Sequence, residues 1–195
     1  MSEKTETIYS FVFKGLLTEE ALDKNGRHIP GKFSEETERL VAERLSLNLI
    51  DDDHVVPARK MSVVFTAITA FENSVRELIT KVLSDEKGET WWDTSVSENI
   101  RKRAESRKSQ EDKIRWHTSR GQSLIYYTEL GDLVSILQNN WELFEDYLHS
   151  FEWAKNIIVT LEKSRNVIMH GGQLDMTDIE RIGTSIRDWV RQIGS

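Results

Sequence analysis

Apolar residues recur every three to four positions along most of this chain, and no stretch keeps the strict alternation of a strand. The longest such pattern starts at Pro57 and runs to about Leu83. Met61, Val64, Phe65, Ile68, Phe71, Val75, Leu78, Ile79 and Val82 form one broad stripe there. A second run, Tyr126 to Leu148, carries Leu130, Leu133, Val134, Ile136, Leu137, Trp141, Phe144 and Tyr147, with a break expected at Asn139-Asn140. A third helix spans Phe151 to His170, with Ala154, Ile157, Ile158, Leu161 and Ile168 on its buried side. The last helix opens with Thr177-Asp178-Ile179-Glu180 at capping-box spacing and buries Ile179, Ile182, Ile186, Trp189, Val190 and Ile193. Upstream, Asn25-Gly26 and Pro30-Gly31 separate a short N-terminal helix from one that starts near Ser34, a good N-cap followed by Glu35 and Glu36. Asp51-Asp52-Asp53-His54 reads as a solvated turn, without the oxygen-ligand alternation and glycine of a calcium loop.

These elements predict an all-α fold, an antiparallel helical bundle with short loops. A chain of 195 residues can bury a core without covalent staples. It has no cysteine, which excludes disulfides, thiol catalysis and cysteine-bound zinc. No apolar run reaches the roughly 20 residues that span a bilayer. The charged start, Met1 to Glu6, lacks the pattern of a signal peptide, so the expected location is the cytoplasm.

The net charge of −7 argues against a general nucleic-acid coat protein, but the charge is uneven. Residues 101–120 hold eight Lys or Arg against three acids, a local +5 that leaves −12 for the remainder. Arg101, Lys102, Arg103, Arg107, Lys108, Lys113, Arg115 and Arg120 form a basic patch with Trp116 and His117 inside it. One reading is a surface for an RNA backbone. The other is a solvated helix face balanced by acids elsewhere in the fold. The tryptophans in general read as core residues rather than base-stacking platforms.

Chemistry concentrates at Arg165-Asn166-Val167-Ile168-Met169-His170, followed by Gly171-Gly172. Arg165 falls on the buried stripe of its helix, where a guanidinium is costly unless an acid satisfies it, and Glu72 is the candidate acid. Asn166 and His170 share a face one turn apart, while His170 lies about 140° round the helix from Arg165. One copy of a regular helix therefore does not aim Arg165 and His170 at the same atom. Either the backbone turns at the glycines, or two copies meet and place two arginines and two histidines round one cleft. Such a cleft could cut RNA without a metal. His170 would take the proton of a ribose 2′-hydroxyl, Arg165 would stabilise charge on the phosphate, and Asn166 would hold the imidazole or a phosphate oxygen. A helix C-terminus favours the protonated imidazole, which suits an acid better than a base. The bland alternative is a buried arginine paired with an acid and an exposed histidine near a helix end.

The same residues carry a resemblance. Phe71-Glu72, Arg76-Glu77-Leu78-Ile79, Trp91-Trp92, Arg107-Lys108, Leu124 to Thr128, Gly131-Asp132-Leu133, Asn140 to Phe144, Arg165-Asn166 with His170, and Asp188-Trp189 together resemble the HEPN superfamily. Within it, they resemble the branch at the end of a eukaryotic transcript-quality-control endoribonuclease and in bacterial stand-alone proteins. The resemblance covers about residues 58–195 and implies an up-down antiparallel helical bundle there, which leaves 1–57 as an N-terminal helical extension. It implies a homodimer with paired Arg-x4-His motifs and a metal-independent endoribonuclease site, with no cofactor. Arg165 and His170 would be catalytic, Asn166 their polar neighbour, and Glu72 the acidic position of an early helix. It further implies a toxin or phage-defence effector, with an RNA substrate and an antitoxin or defence partner. Some HEPN toxins carry a tyrosine two residues after the histidine, where this chain has Gly172. Members that bind RNA or partners without cutting leave a non-catalytic dimerisation and binding module as the alternative.

Overall fold

A computed structural model describes residues 34–114 and 116–193. The expected helix before Ser34, its glycine and proline boundaries, and Arg115 lie outside the described residues. The chain divides into two units, Met1–Asp51 and Asp52–Ser195. In the first, helix α1 (Glu35–Arg44) starts at the expected cap, where the Ser34 hydroxyl accepts from the Thr37 N–H at 3.1 Å.

The second unit is an all-α bundle with no strand among the described residues. Its spine is α2 (Asp52–Lys87). This helix begins before Pro57, so all but the first residue of the expected turn, Asp51 to His54, belong instead to its first turn. Asp52 and Asp53 suit a helix N-terminus electrostatically. Pro57 forgoes only the one backbone bond its nitrogen cannot donate, and the helix continues through it. Gly88, at φ +67°, takes the left-handed conformation that ends α2. The short helix α3 (Trp91–Ser95) and then α4 (Glu98–Glu111) follow. The basic stretch is thus helical only to Glu111.

Helix α5 (Leu130–Asn139) stops at the expected break. The Asn140 side chain explains this, donating to the carbonyls of Ile136 at 2.8 Å and Ser95 at 3.0 Å. Beyond it the chain makes 3-10 and turn structure, so Tyr147 points to solvent and Leu148 is buried in its place. Helices α6 (Phe151–Met169) and α7 (Met176–Ile193) are joined by six residues and pack together as an antiparallel pair. Asp175 caps α7 by accepting from the Asp178 N–H at 2.8 Å, so the cap is Asp175 and not Thr177. Val190, expected inside, is exposed, because the buried side of α7 centres on Ile182 and Trp189.

Helix α2 packs on α5, α6 and α7 around a core of Ile68, Val75, Ile79, Leu133, Ile158 and Leu161. Trp189 is fully buried, stacked on Trp153 at 5.8 Å and edge-on to Phe71 at 5.2 Å. Trp116 is the exception among the tryptophans, at 86% exposure.

Candidate functional site

Glu72 sits one turn before Arg76 on the buried face of α2, and both side chains are enclosed. The carboxylate of Glu72 accepts from Arg76 at 2.5 Å through one oxygen. Arg165, reaching across from α6, donates to both Glu72 oxygens at 3.2 and 3.4 Å. One acid thus carries two guanidiniums. Arg76 is held further by the Asn73 side chain at 3.0 Å and the Thr128 carbonyl at 3.1 Å, and its guanidinium lies over the Tyr126 ring. The pairing of Glu72 with Arg165 is the expected one, whereas the part of Arg76 is not foreseen from the sequence. Its signal is nonetheless present there: Glu72 and Arg76 are four apart, and both fall on an otherwise apolar stripe.

The end of α6 is a left-handed Schellman turn. Gly171, at φ +77°, donates to the Ile168 carbonyl at 2.9 Å, and Gly172 donates to the Val167 carbonyl at 2.8 Å. His170 is the C-cap residue, its N–H on the Asn166 carbonyl at 3.2 Å. A β-carbon on Gly172 would lie 2.6 Å from the Val167 side chain and 2.9 Å from its carbonyl oxygen. A tyrosine at this position would have to displace Val167, which glycine does not.

Asn166 and His170 are exposed, and among the described residues neither side chain has a hydrogen-bond partner. The fold brings Glu72 and Arg165 together but leaves His170 outside that ion cluster. Arg165 retains partial access to solvent, with 23% of its side chain exposed. Such an arrangement offers a guanidinium held from behind by an acid, with an amide and an imidazole free to meet a ligand.

The basic patch has a different internal logic. Helix α4 buries only Ile100 and Ala104, so ion pairs fix it to the bundle. Arg103 and Arg107 both bind Asp132, and Arg107 also reaches Glu129 at 2.8 Å and the Tyr127 carbonyl at 2.8 Å. Burial pushes the Asp132 carboxyl up, but hydrogen bonds from Arg103, the Glu129 N–H and Arg107 outweigh it and hold the group below its ordinary value. Arg101 pairs with Asp93 at 3.1 Å, Lys102 with Glu98 at 2.7 Å, and Arg120 with Glu111 at 3.0 Å. Lys108 donates to the Gln122 carbonyl at 3.2 Å, and Lys113 is exposed. Among the described residues, Lys108 and Lys113 are the patch cations without a carboxylate partner. No group of three or more acids and histidines among the described residues is placed to hold a metal ion, and no described helix is long and apolar enough to cross a membrane.

Residues 66–194 match a family model described as Swt1-like HEPN, a span that includes Glu72, Arg165, Asn166 and His170. No curated protein and no solved structure matches the chain.

Proposed function

The chain belongs to the Swt1-like HEPN branch of the HEPN superfamily, and from that premise we propose that it is a metal-independent endoribonuclease whose site is shared between two copies. HEPN domains are commonly ribonucleases and often act as dimers that bind RNA. The observation that supports the reading is the pairing of a guanidinium held by Glu72 with unpartnered Asn166 and His170 at the end of the same helix. In the shared site Arg165 of each copy neutralises the scissile phosphate. One His170 accepts the proton of the ribose 2′-hydroxyl as its oxygen attacks phosphorus. The partner's His170 gives a proton to the departing 5′-oxygen. The products are a 2′,3′-cyclic phosphate and a 5′-hydroxyl. Asn166 orients the imidazole or a phosphate oxygen. Cations of the 101–120 stretch, Lys108 and Lys113 first among them, bind the RNA backbone. Within a cell the activity is that of a toxin or phage-defence effector, silenced by a partner until needed.

A second reading, a non-catalytic dimerisation and binding module, draws on the ion pair itself, because Glu72 and Arg165 would serve packing equally well. Dilution separates the two. The shared site predicts that RNA cleavage per chain falls as the protein is diluted through its dimer dissociation, and that Arg165→Ala and His170→Ala each abolish cleavage with the dimer intact. Cleavage per chain that stays constant into the monomer would overturn the shared site. Absence of cleavage at every concentration would favour the module.

A further inference from the structure

Beside the end of α6 lies a cleft of about 490 Å³, walled by the first turns of α2 and by the Schellman turn. Its volume falls in the range of small-ligand sites. Pro57, Met61, Phe65, Ile168 and Met169 give it an apolar and partly aromatic lining. Met61 is fixed in place, its sulfur accepting the Leu174 N–H at 3.3 Å. Asp53, His54, Ser62 and Gln173 supply polar groups, and Gly171 and Gly172 form the wall where the chain leaves His170. The cleft therefore begins at the same turn that presents the imidazole.

The lining decides what can enter. No lysine or arginine lines the cleft, so its walls offer a phosphate group no cationic side chain of that kind. A flat heteroaromatic ring fits better: it can lie against Phe65 and the apolar side chains while its polar edge meets Gln173, Ser62 or His54. From this geometry we infer a nucleobase subsite, which takes the unstacked base of a nucleotide next to the scissile phosphate. The inference rests on the nuclease reading for its substrate, and it adds a specificity determinant: Gln173, Ser62 and His54 read the base while Arg165 and His170 face the phosphate.

The test is binding of the four nucleoside 3′-monophosphates and of ribose 5-phosphate, by calorimetry and by NMR shifts of the cleft residues. The full-length protein is compared with Ala58→Trp and Gln173→Ala. Ala58 is an exposed residue of the cleft wall, so a tryptophan there fills the cleft without entering the core. Wild type is expected to bind at least one mononucleotide at least tenfold more tightly than ribose 5-phosphate. Ala58→Trp should weaken it tenfold or more, and Gln173→Ala should change the order of preference among bases. Equal affinity for ribose 5-phosphate, or Ala58→Trp affinity within twofold of wild type, would overturn the subsite. Mononucleotide binding in a protein that never cleaves RNA would remove the nuclease reading and leave the subsite standing. Cleavage at unchanged positions by Ala58→Trp would do the reverse.

Discussion

The ion cluster of Glu72, Arg76 and Arg165 yields a prediction about folding that separates a catalytic arginine from a structural one. In Arg165→Ala the Glu72 carboxylate keeps Arg76 at 2.5 Å, so no buried charge is left alone. The broken pair is partly exposed on the arginine side, at 23%, and screening limits what it contributes to about 1 kcal/mol. Glu72→Ala is the opposite case. It leaves the Arg76 side chain, 11% exposed, with only the Asn73 amide oxygen and the Thr128 carbonyl. Breaking a buried pair from one side costs about 3–5 kcal/mol. In a chain of this size each kcal/mol moves the melting temperature by roughly 2–4 °C. Arg165→Ala should therefore melt about 2–4 °C below wild type, and Glu72→Ala about 6–20 °C below it. Differential scanning calorimetry at pH 7, supported by urea unfolding, measures both. If Arg165→Ala loses as much as Glu72→Ala, the arginine is a structural strut, and any loss of cleavage in that variant ceases to inform on chemistry. If Glu72→Ala melts with wild type, one acid does not neutralise two guanidiniums here and the reasoning is refuted.

Gly172→Ala should lower stability by about 1–3 kcal/mol, since its β-carbon meets Val167 at 2.6 Å and 2.9 Å; urea unfolding checks it, and wild-type stability would contradict the close approach. Asp132 has a lowered pKa in the folded protein, so its contribution is fully present above the unfolded carboxyl value of about 3.9 and is lost as pH falls below it. The stability gap between wild type and Asp132→Asn should therefore be level from about pH 5 to 7 and narrow below about pH 4, as followed by thermal unfolding. For RNA binding, Lys108→Ala with Lys113→Ala should make the slope of log affinity against log salt shallower by about 0.7 for each phosphate that is no longer neutralised, while an unchanged slope would take the patch out of the interface.

The bundle was legible because helical periodicity reports which face of each element is buried, and Ile68, Val75, Leu133 and Ile158 obey it. The ends of elements were less so. Asp51 to His54 looked like a turn because three acids and a following proline suggest a boundary, yet Asp52 and Asp53 also suit a first helical turn, and Pro57, the sixth residue of α2, does not end the helix. Val190 satisfied the sequence spacing and still faces solvent, since tertiary packing decides how wide a buried stripe is, while Tyr147 faces it because the helix ends before it. At the site, the buried position of Arg165 pointed to an acid and Glu72 supplied it. The spacing of Glu72 and Arg76 on one helix carries part of that cluster, but the hold of Thr128 on Arg76 and the cleft beside Gly171 depend on segments far apart in sequence, which such spacing does not encode. The charge excess of 101–120 was plain, but its partners Asp93, Glu129 and Asp132 lie on other elements, so its pairing was visible only in the fold.

The most direct measurement of nuclease action is incubation of purified protein with total RNA and a tRNA pool in EDTA, beside His170→Ala, with the ends of the products identified. Wild type should give discrete fragments ending in 2′,3′-cyclic phosphate and 5′-hydroxyl, and the variant should leave the RNA intact, a rate loss of about 100- to 10,000-fold. Fragments with 3′-hydroxyl ends, fragments made equally well by His170→Ala, or intact RNA in both samples would contradict a composite Arg165 and His170 site.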